Sequence, residues 1–479
     1  MKPFLSIPLS IPLSLALCLL PAVAAADAPP PRAPHVVDHT PEPYVRIVHP
    51  EWTRDAAIYQ INTRQFTPEG TFRAAQAQLP RLRALGVDIL WLMPVHPIGA
   101  ENRKGTLGSP YAVKDYLGVN PEFGTVEDLK AFVDAAHAQD MHVILDWVAN
   151  HTAWDNPLRT QHPDWYKRSW DGDFRPTPWW DWTDIIELDY RSRPLREYMA
   201  KAMRYWVEDV GVDGFRADVA GFVPLDFWED VRAELDTVKP VFLLGEWESR
   251  DLHAAAFDAT YAWSWWDAMH KIAKGQADTN ALHGYYSWNE NFYPKDALRM
   301  VFTSNHDKNS WEGTDAEIFG DMFPAALALS VVGEGIPMFY NGQEAGLDRR
   351  LEFFEKDPID WRDHPNAALI RDLLALKSAT PALANGAWGA TMVHVPSDAQ
   401  GKVLSFVRQD PASKVFAVFN LAPDARTVTF REGLFPGTYT EFRGGEVVLR
   451  EGEAMTLAPW QYRVFVASPT EAGTPVVSR

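Results

Sequence analysis

From residue 57 onward, short and mostly apolar runs alternate with longer stretches whose apolar residues recur every three to four positions. The short runs fall at 57–62, 89–94, 142–146, 214–218, 241–246, 259–263, 300–305 and 336–340. Continuous apolar runs of this length suit strands covered on both faces. Helical spacing fills the intervals, as at 126–139, 194–210 and 224–235. Pro194 and Pro224 sit where a first helical turn tolerates proline. Eight strand–helix units in this order predict an α/β fold, a parallel (β/α)8 or TIM barrel. Near Thr380 and Pro381 the pattern changes. Runs at 403–408, 415–420, 426–430, 437–442 and 454–466 are β-rich, with turn residues between them. They predict a C-terminal antiparallel β-sandwich domain that supports the barrel.

Four of the barrel runs lead into carboxylates: Asp146, Asp218, Glu246 and Asp307. In a parallel barrel every strand ends on the same face. A barrel of about 250 residues in eight units allows about 31 residues per unit. Asp218 and Glu246 are 28 apart, so their strands are neighbours. Glu246 and Asp307 are 61 apart, which is two units. The 72 residues from Asp146 to Asp218 hold one unit and an insert at about 151–190, after the third strand. That insert carries Trp154, Trp165, Trp170, Trp179, Trp180 and Trp182. It predicts a lobe over the barrel mouth, with flat apolar rings available to pack its core or to stack on sugar. Carboxylates converging at an apolar mouth are what glycosidic cleavage needs. One acid protonates the leaving oxygen, and another attacks the anomeric carbon or activates water. Crowded like charges keep one of them protonated near neutral pH.

Composition narrows the field of ligands. The net charge of -19 over 479 residues disfavours nucleic acid and anionic lipid as partners. At the N-terminus, Lys2 is the only charge before Asp27, an apolar stretch runs over 4–23, and Ala24, Ala25 and Ala26 form a small-residue cleavage site. Residues 1–26 therefore read as a signal peptide cleaved near Ala26, for export to a periplasm or to the medium. Pro8, Pro12 and Pro21 argue against a spanning helix, and no later segment predicts one. The sole cysteine, Cys18, lies within the signal, so the mature chain has no disulfide, thiolate metal site or cysteine nucleophile. A Pro-rich linker is expected over 27–50, the barrel over 51–380 and the β-domain over 381–479.

The strand-end segments also carry a resemblance. Asp146-Trp-Val-Ala-Asn-His151, Gly214-Phe-Arg-Ala-Asp218, Gly245-Glu246 and Asn305-His-Asp307 resemble the four signature segments of the α-amylase family of glycoside hydrolases (family 13), in its order and spacing. Residues 86–94 resemble its second-strand segment, 335–344 its eighth-strand segment, and 187–190 the end of its lobe. By that resemblance Asp218 is the nucleophile, Glu246 the proton donor and Asp307 the third catalytic acid. Arg216 aligns Asp218, His151 and His306 bind hydroxyls of the sugar being cleaved, and Tyr111 stacks under it. Asp146 is structural. The implied activity is a retaining hydrolase of α-glucans such as starch or maltodextrins. A glucanotransferase with the same site is the alternative, and a non-catalytic glucan-binding protein the second. No cofactor is required. Calcium (Ca2+) is left open by Asn150, but no metal site is assigned. Gly221-Phe222 stand where calcium-dependent members carry Lys-His. The sequence does not determine the oligomeric state.

Overall fold

The eight apolar runs pair edge to edge into a closed parallel barrel. Its strands are β1 (Ile58–Ile61), β2 (Ile89–Leu92), β3 (His142–Trp147), β4 (Gly214–Ala217), β5 (Phe242–Gly245), β6 (Ala259–Tyr261), β7 (Leu298–Phe302) and β8 (Ile336–Tyr340). Each strand neighbours the next, and β8 closes on β1. All eight are parallel, and nearly every strand residue is buried. Chain order is thus angular order around the mouth, and β1 lies opposite β5. The computed structural model describes residues 42–178 and 180–467. The expected signal at 1–26, the first part of the linker and Trp179 lie outside them.

Local signals in the sequence set the helix ends. The helix Val126–His137 opens on a reciprocal cap between Thr125 and Asp128. Arg193–Tyr205 opens on Ser192, with Pro194 in its first turn. It continues as a wider π-type turn over Trp206–Val210 and stops at Gly211, whose φ of 93° favours glycine. Among the described residues, no helix is long and apolar enough to cross a membrane.

Part of the expected linker belongs to the barrel instead. The Arg46 N–H donates to the Ala254 carbonyl at 2.8 Å. His49 reaches Asp258 Oδ1 and the Asp296 carbonyl, both at 2.7 Å. Trp52 stacks on His142 with ring centres 3.9 Å apart. These partners sit at or just before the starts of β3, β6 and β7. Residues 44–50 therefore seal the base of the barrel, because polar and aromatic partners hold them there despite their prolines.

The C-terminal domain is a two-layer antiparallel sandwich. Its larger sheet orders Met392–His394, Val403–Gln409, Lys414–Asn420, Tyr462–Ala467, Gly437–Glu441 and Glu446–Leu449, and its smaller sheet pairs Arg426–Thr429 with Ala454–Leu457. Phe416, Val418, Phe465, Val428 and Leu457 fill the space between them. The single run expected at 454–466 is two strands in different sheets. Pro459 has no N–H for a ladder, and Trp460 takes φ 55°, so the chain turns there. Two edge strands, Met392–His394 and Glu446–Leu449, escaped the sequence reading because both are largely solvent-facing and only three or four residues long, too short for their apolar residues to set a period. Arg408, 2% exposed, ties this domain to the barrel. It donates to the carbonyls of Gly333 (2.6 Å), Ala390 (2.9 Å) and Ala384 (3.0 Å).

The insert forms the expected lobe. Its strands His151–Ala153 and Ile185–Glu187 pair antiparallel, over a small core of Ile98, Ala112, Ala153 and Ile185. Trp165 is buried against His162. Trp154 donates its Nε1–H to the Thr183 carbonyl at 2.9 Å. Trp180 and Trp182 stack 5.2 Å apart and face the barrel mouth.

Candidate active site

A cleft of about 450 Å3 opens at the strand C-termini, beneath the lobe. Six of the seven residues singled out in the sequence line it: Tyr111, His151, Asp218, Glu246, His306 and Asp307. The seventh, Arg216, is fully buried beneath its floor.

Parallel register creates this convergence. Arg216 on β4 lies beside Asp146 on β3 and Leu244 on β5. Two residues further along, Asp218 points to the same side as Arg216, because strand side chains alternate. The Asp218 N–H donates to the Trp147 carbonyl at 3.0 Å, which fixes this strand end. Arg216 Nη1 donates to Asp146 Oδ1 at 2.8 Å and to Asp218 Oδ1 at 3.0 Å. Its Nη2 lies 2.9 Å from Glu246 Oε2, but the N–H is not aimed at that oxygen, so this contact is an ion pair and not a hydrogen bond. Its Nε donates to the Tyr261 hydroxyl at 3.2 Å, and the Trp91 ring lies 5.2 Å away.

One cation thus serves three carboxylates. Burial pushes the Asp218 carboxyl well above the ordinary range; Arg216 opposes this, and Glu246 and Asp146 add to it. Asp146 is raised to about 6 by burial, again against Arg216. A cluster with more negative than positive sites in a low-dielectric pocket retains a proton near neutrality.

A hydrogen-bonded chain holds the cluster from one side. Gln60 Oε1 accepts the His306 N–H at 3.2 Å, and Gln60 Nε2 lies 2.7 Å from His306 Nδ1. His306 Nε2 lies 2.8 Å from the Tyr111 hydroxyl, which donates to Asp146 Oδ2 at 3.0 Å. These partners assign the imidazole proton to Nε2. Burial, then Arg216, lowers His306 to about 3, so it is neutral. Burial lowers His151 to about 4, and it is neutral as well. The Val219 N–H donates to Glu246 Oε2 at 2.7 Å. Val219 has φ 37° and ψ 49°, a left-handed conformation that a β-branched residue resists. The turn after Asp218 is held in a strained shape that aims this N–H at Glu246. Asp307, at the end of the β7 segment, has its side chain 39% exposed to the cleft.

These features agree with the comparisons to known proteins. The family profile described as alpha amylase, catalytic domain, matches residues 55–390. The chain belongs to the alpha-amylase family. Its β-domain matches the family's C-terminal all-beta domain over residues 394–458. Among solved structures, an alpha-amylase from Lactobacillus plantarum is 30% identical, with a TM-score of 0.78, covering 87% of this chain and all of that one (100%). The alpha-amylase MalA of Haloarcula japonica is 27% identical over 406 residues, 80% of this chain but only 58% of that relative. An alpha-1,4-glucan:maltose-1-phosphate maltosyltransferase of Burkholderia pseudomallei is 29% identical over 442 residues, 80% of this chain and 36% of that protein.

In this alpha-amylase-family enzyme the departure at Gly221-Phe222 has a visible consequence. A Cβ at Gly221 would come within 2.2 Å of the Trp247 ring. Glycine there lets Trp247 lie against the turn that follows Asp218, with Phe222 edge-on at 5.3 Å. Asn150 is buried, with Nδ2 3.2 Å from His151 Nδ1. Among the described residues, no three His, Cys, Asp or Glu side chains are grouped to hold a metal. The sequence reading missed Trp311, Phe353, Phe354 and Lys104, which also line the cleft. Trp311, four residues after Asp307, was within reach of sequence reasoning. Lys104 and the Phe353-Phe354 pair sit in loops with no periodicity to read.

Proposed function

We propose that this enzyme is a retaining α-glucan hydrolase acting on maltodextrin-like chains outside the cytoplasm. The reading is carried by Arg216, which holds Asp218 and Glu246 on its two terminal nitrogens at the floor of an aromatic cleft. Two carboxyl groups flanking one anomeric carbon supply both halves of a double displacement. In the reactive form the proton of the cluster sits on Glu246 and Asp218 is ionised against Arg216. Asp218 attacks the anomeric carbon as the bond from that carbon to the leaving oxygen breaks, and the Glu246 proton passes to that oxygen. Glu246, now a carboxylate, takes a proton from water, whose oxygen displaces Asp218 and restores the α-anomer. The neutral imidazoles His151 and His306 serve as hydroxyl partners that bring no charge of their own. Asp307 binds sugar hydroxyls from the open side, and Tyr111 supplies the face beneath the ring. Calcium has no part in these steps. The proposed export rests on the composition of residues 1–26.

Sugar in place of water as acceptor would make the enzyme a glucanotransferase. The aromatic surface Trp180, Phe222 and Trp247 near Glu246 favours that second reading, since it offers an incoming sugar a platform. The test is a product profile from maltoheptaose, with the anomer followed by proton NMR. Shorter products released first as the α-anomer are expected. Products longer than the starting sugar would establish transfer, and β-anomer would overturn the double displacement.

A further inference from the structure

The inference rests on the reading above and concerns which end of a glucan enters the cleft. In a hexopyranose the anomeric carbon and C4 lie at opposite ends of the ring. With the leaving oxygen facing Glu246 on β5, the C4 hydroxyl of the same ring faces the opposite side of the mouth, which belongs to β1. A 1,4-linked chain would have to continue in that direction.

That side is walled. The loop after β8 places Phe353 parallel to Tyr111, with ring centres 6.2 Å apart and planes at 11°, and 6.3 Å from His306. Trp311, from the segment after β7, packs on Phe353 at 5.3 Å. The β8 loop reaches over β1 to the loop after β2, where the Leu107 N–H donates to the Phe354 carbonyl at 3.2 Å and the Thr106 N–H to Glu355 Oε1 at 2.7 Å. Gly105, at φ 64°, allows this approach: a Cβ there would stand 2.5 Å from that of Phe354. From below, Gln65 Nε2 donates to the carbonyls of Glu352 and Glu355, each at 2.9 Å. The buried Arg64 donates to the Gly108 carbonyl at 3.0 Å. Both loops are therefore fixed, and the wall is part of the resting structure. The leaving side has an aromatic surface of its own, with Trp180 and Trp247 50% and 36% exposed. What sets the donor side apart is the bonding between its loops and not exposure, since Trp311 there is 54% exposed.

We propose that Phe353 is a specificity-determining residue that closes the donor side of the cleft, so that the enzyme works from the non-reducing end of its substrate and releases glucose. Internal cutting of long chains is excluded because the donor arm has nowhere to go.

The test uses p-nitrophenyl maltoheptaoside, either free or carrying an ethylidene cap on its non-reducing end, with products resolved by chromatography. The wild-type enzyme is expected to release unlabelled glucose first, and to cleave the capped substrate at least ~100-fold more slowly. Unlabelled maltose as the first product would place the wall one ring further out and take Phe353 out of the role. Phe353→Ala is expected to narrow that gap. Equal wild-type rates on both substrates, or short labelled products appearing first, would overturn the inference while leaving the hydrolase reading intact. An unchanged gap in a Phe353→Ala variant of wild-type Tm would remove Phe353 from the role. No turnover of either substrate would overturn the hydrolase reading and this inference with it.

Discussion

At the scale of single residues, Asp218 and Glu246, two of the three carboxylates paired with Arg216, divide the chemistry between them on the proposed reading. Asp218→Asn replaces the proposed attacking carboxylate by a neutral amide and is expected to lower kcat on maltodextrin by about 10^4-fold, while binding measured by calorimetry survives. Glu246→Gln removes the proposed proton transfer together with the ion pair to Arg216. Its loss is expected near 10^3-fold on maltodextrin but far smaller on an α-glucosyl fluoride, whose leaving group needs no proton. Equal losses on both substrates would take Glu246 out of the donor position. Much of this site was legible in the sequence, because acids at strand ends in a parallel barrel must converge on one face. What the sequence could not show is that Asp146, Asp218 and Glu246 share one guanidinium, or that Tyr111 joins the same hydrogen-bonded chain from a loop after β2. Those contacts depend on tertiary register and not on spacing along the chain.

At the scale of elements, β4 carries both Arg216 and the turn into Asp218, so its placement decides the site. Gly214 starts this strand at φ 149°, and a Cβ there would stand 1.9 Å from the backbone oxygen of Phe242 on β5. The three nearest atoms are all backbone atoms of Phe242, so there is no side chain to yield. Gly214→Ala is expected to cost about 3 kcal/mol and to lower kcat at temperatures where the variant stays folded; urea unfolding together with residual activity would check both. The barrel strands were readable because burial on both faces leaves a continuous apolar run. The exposed edge strands of the sandwich were not, since half-solvated strands of three or four residues resemble loops. The wall around Phe353 was invisible for a related reason: hydrogen bonds between two irregular loops shape it, and no periodicity encodes them.

At the scale of the whole molecule, the seam between barrel and sandwich holds two buried cations. Arg408 spends its hydrogen bonds on backbone carbonyls, and Lys377, 1% exposed, donates to the Leu383 carbonyl at 2.6 Å. Burial, then the charge of Arg408, pushes Lys377 down to about 7 from an ordinary 10.5. Between those values the folded chain binds fewer protons at this site than the unfolded chain, so the site's contribution to stability rises with pH across that window. Comparing wild type with Lys377→Met by thermal unfolding at pH 7 and pH 9 should show the variant gaining most at pH 7 and the difference shrinking at pH 9. A constant difference would mean that Lys377 is already charged in the fold. At the opposite pole from the cleft, residues 44–52 are fastened across the strand starts by Arg46, His49 and Trp52. A solid support linked through the exposed Tyr44 or Arg46 would therefore attach at the base. An immobilised preparation anchored there would hold its cleft toward the bulk liquid, where long and slowly diffusing chains arrive.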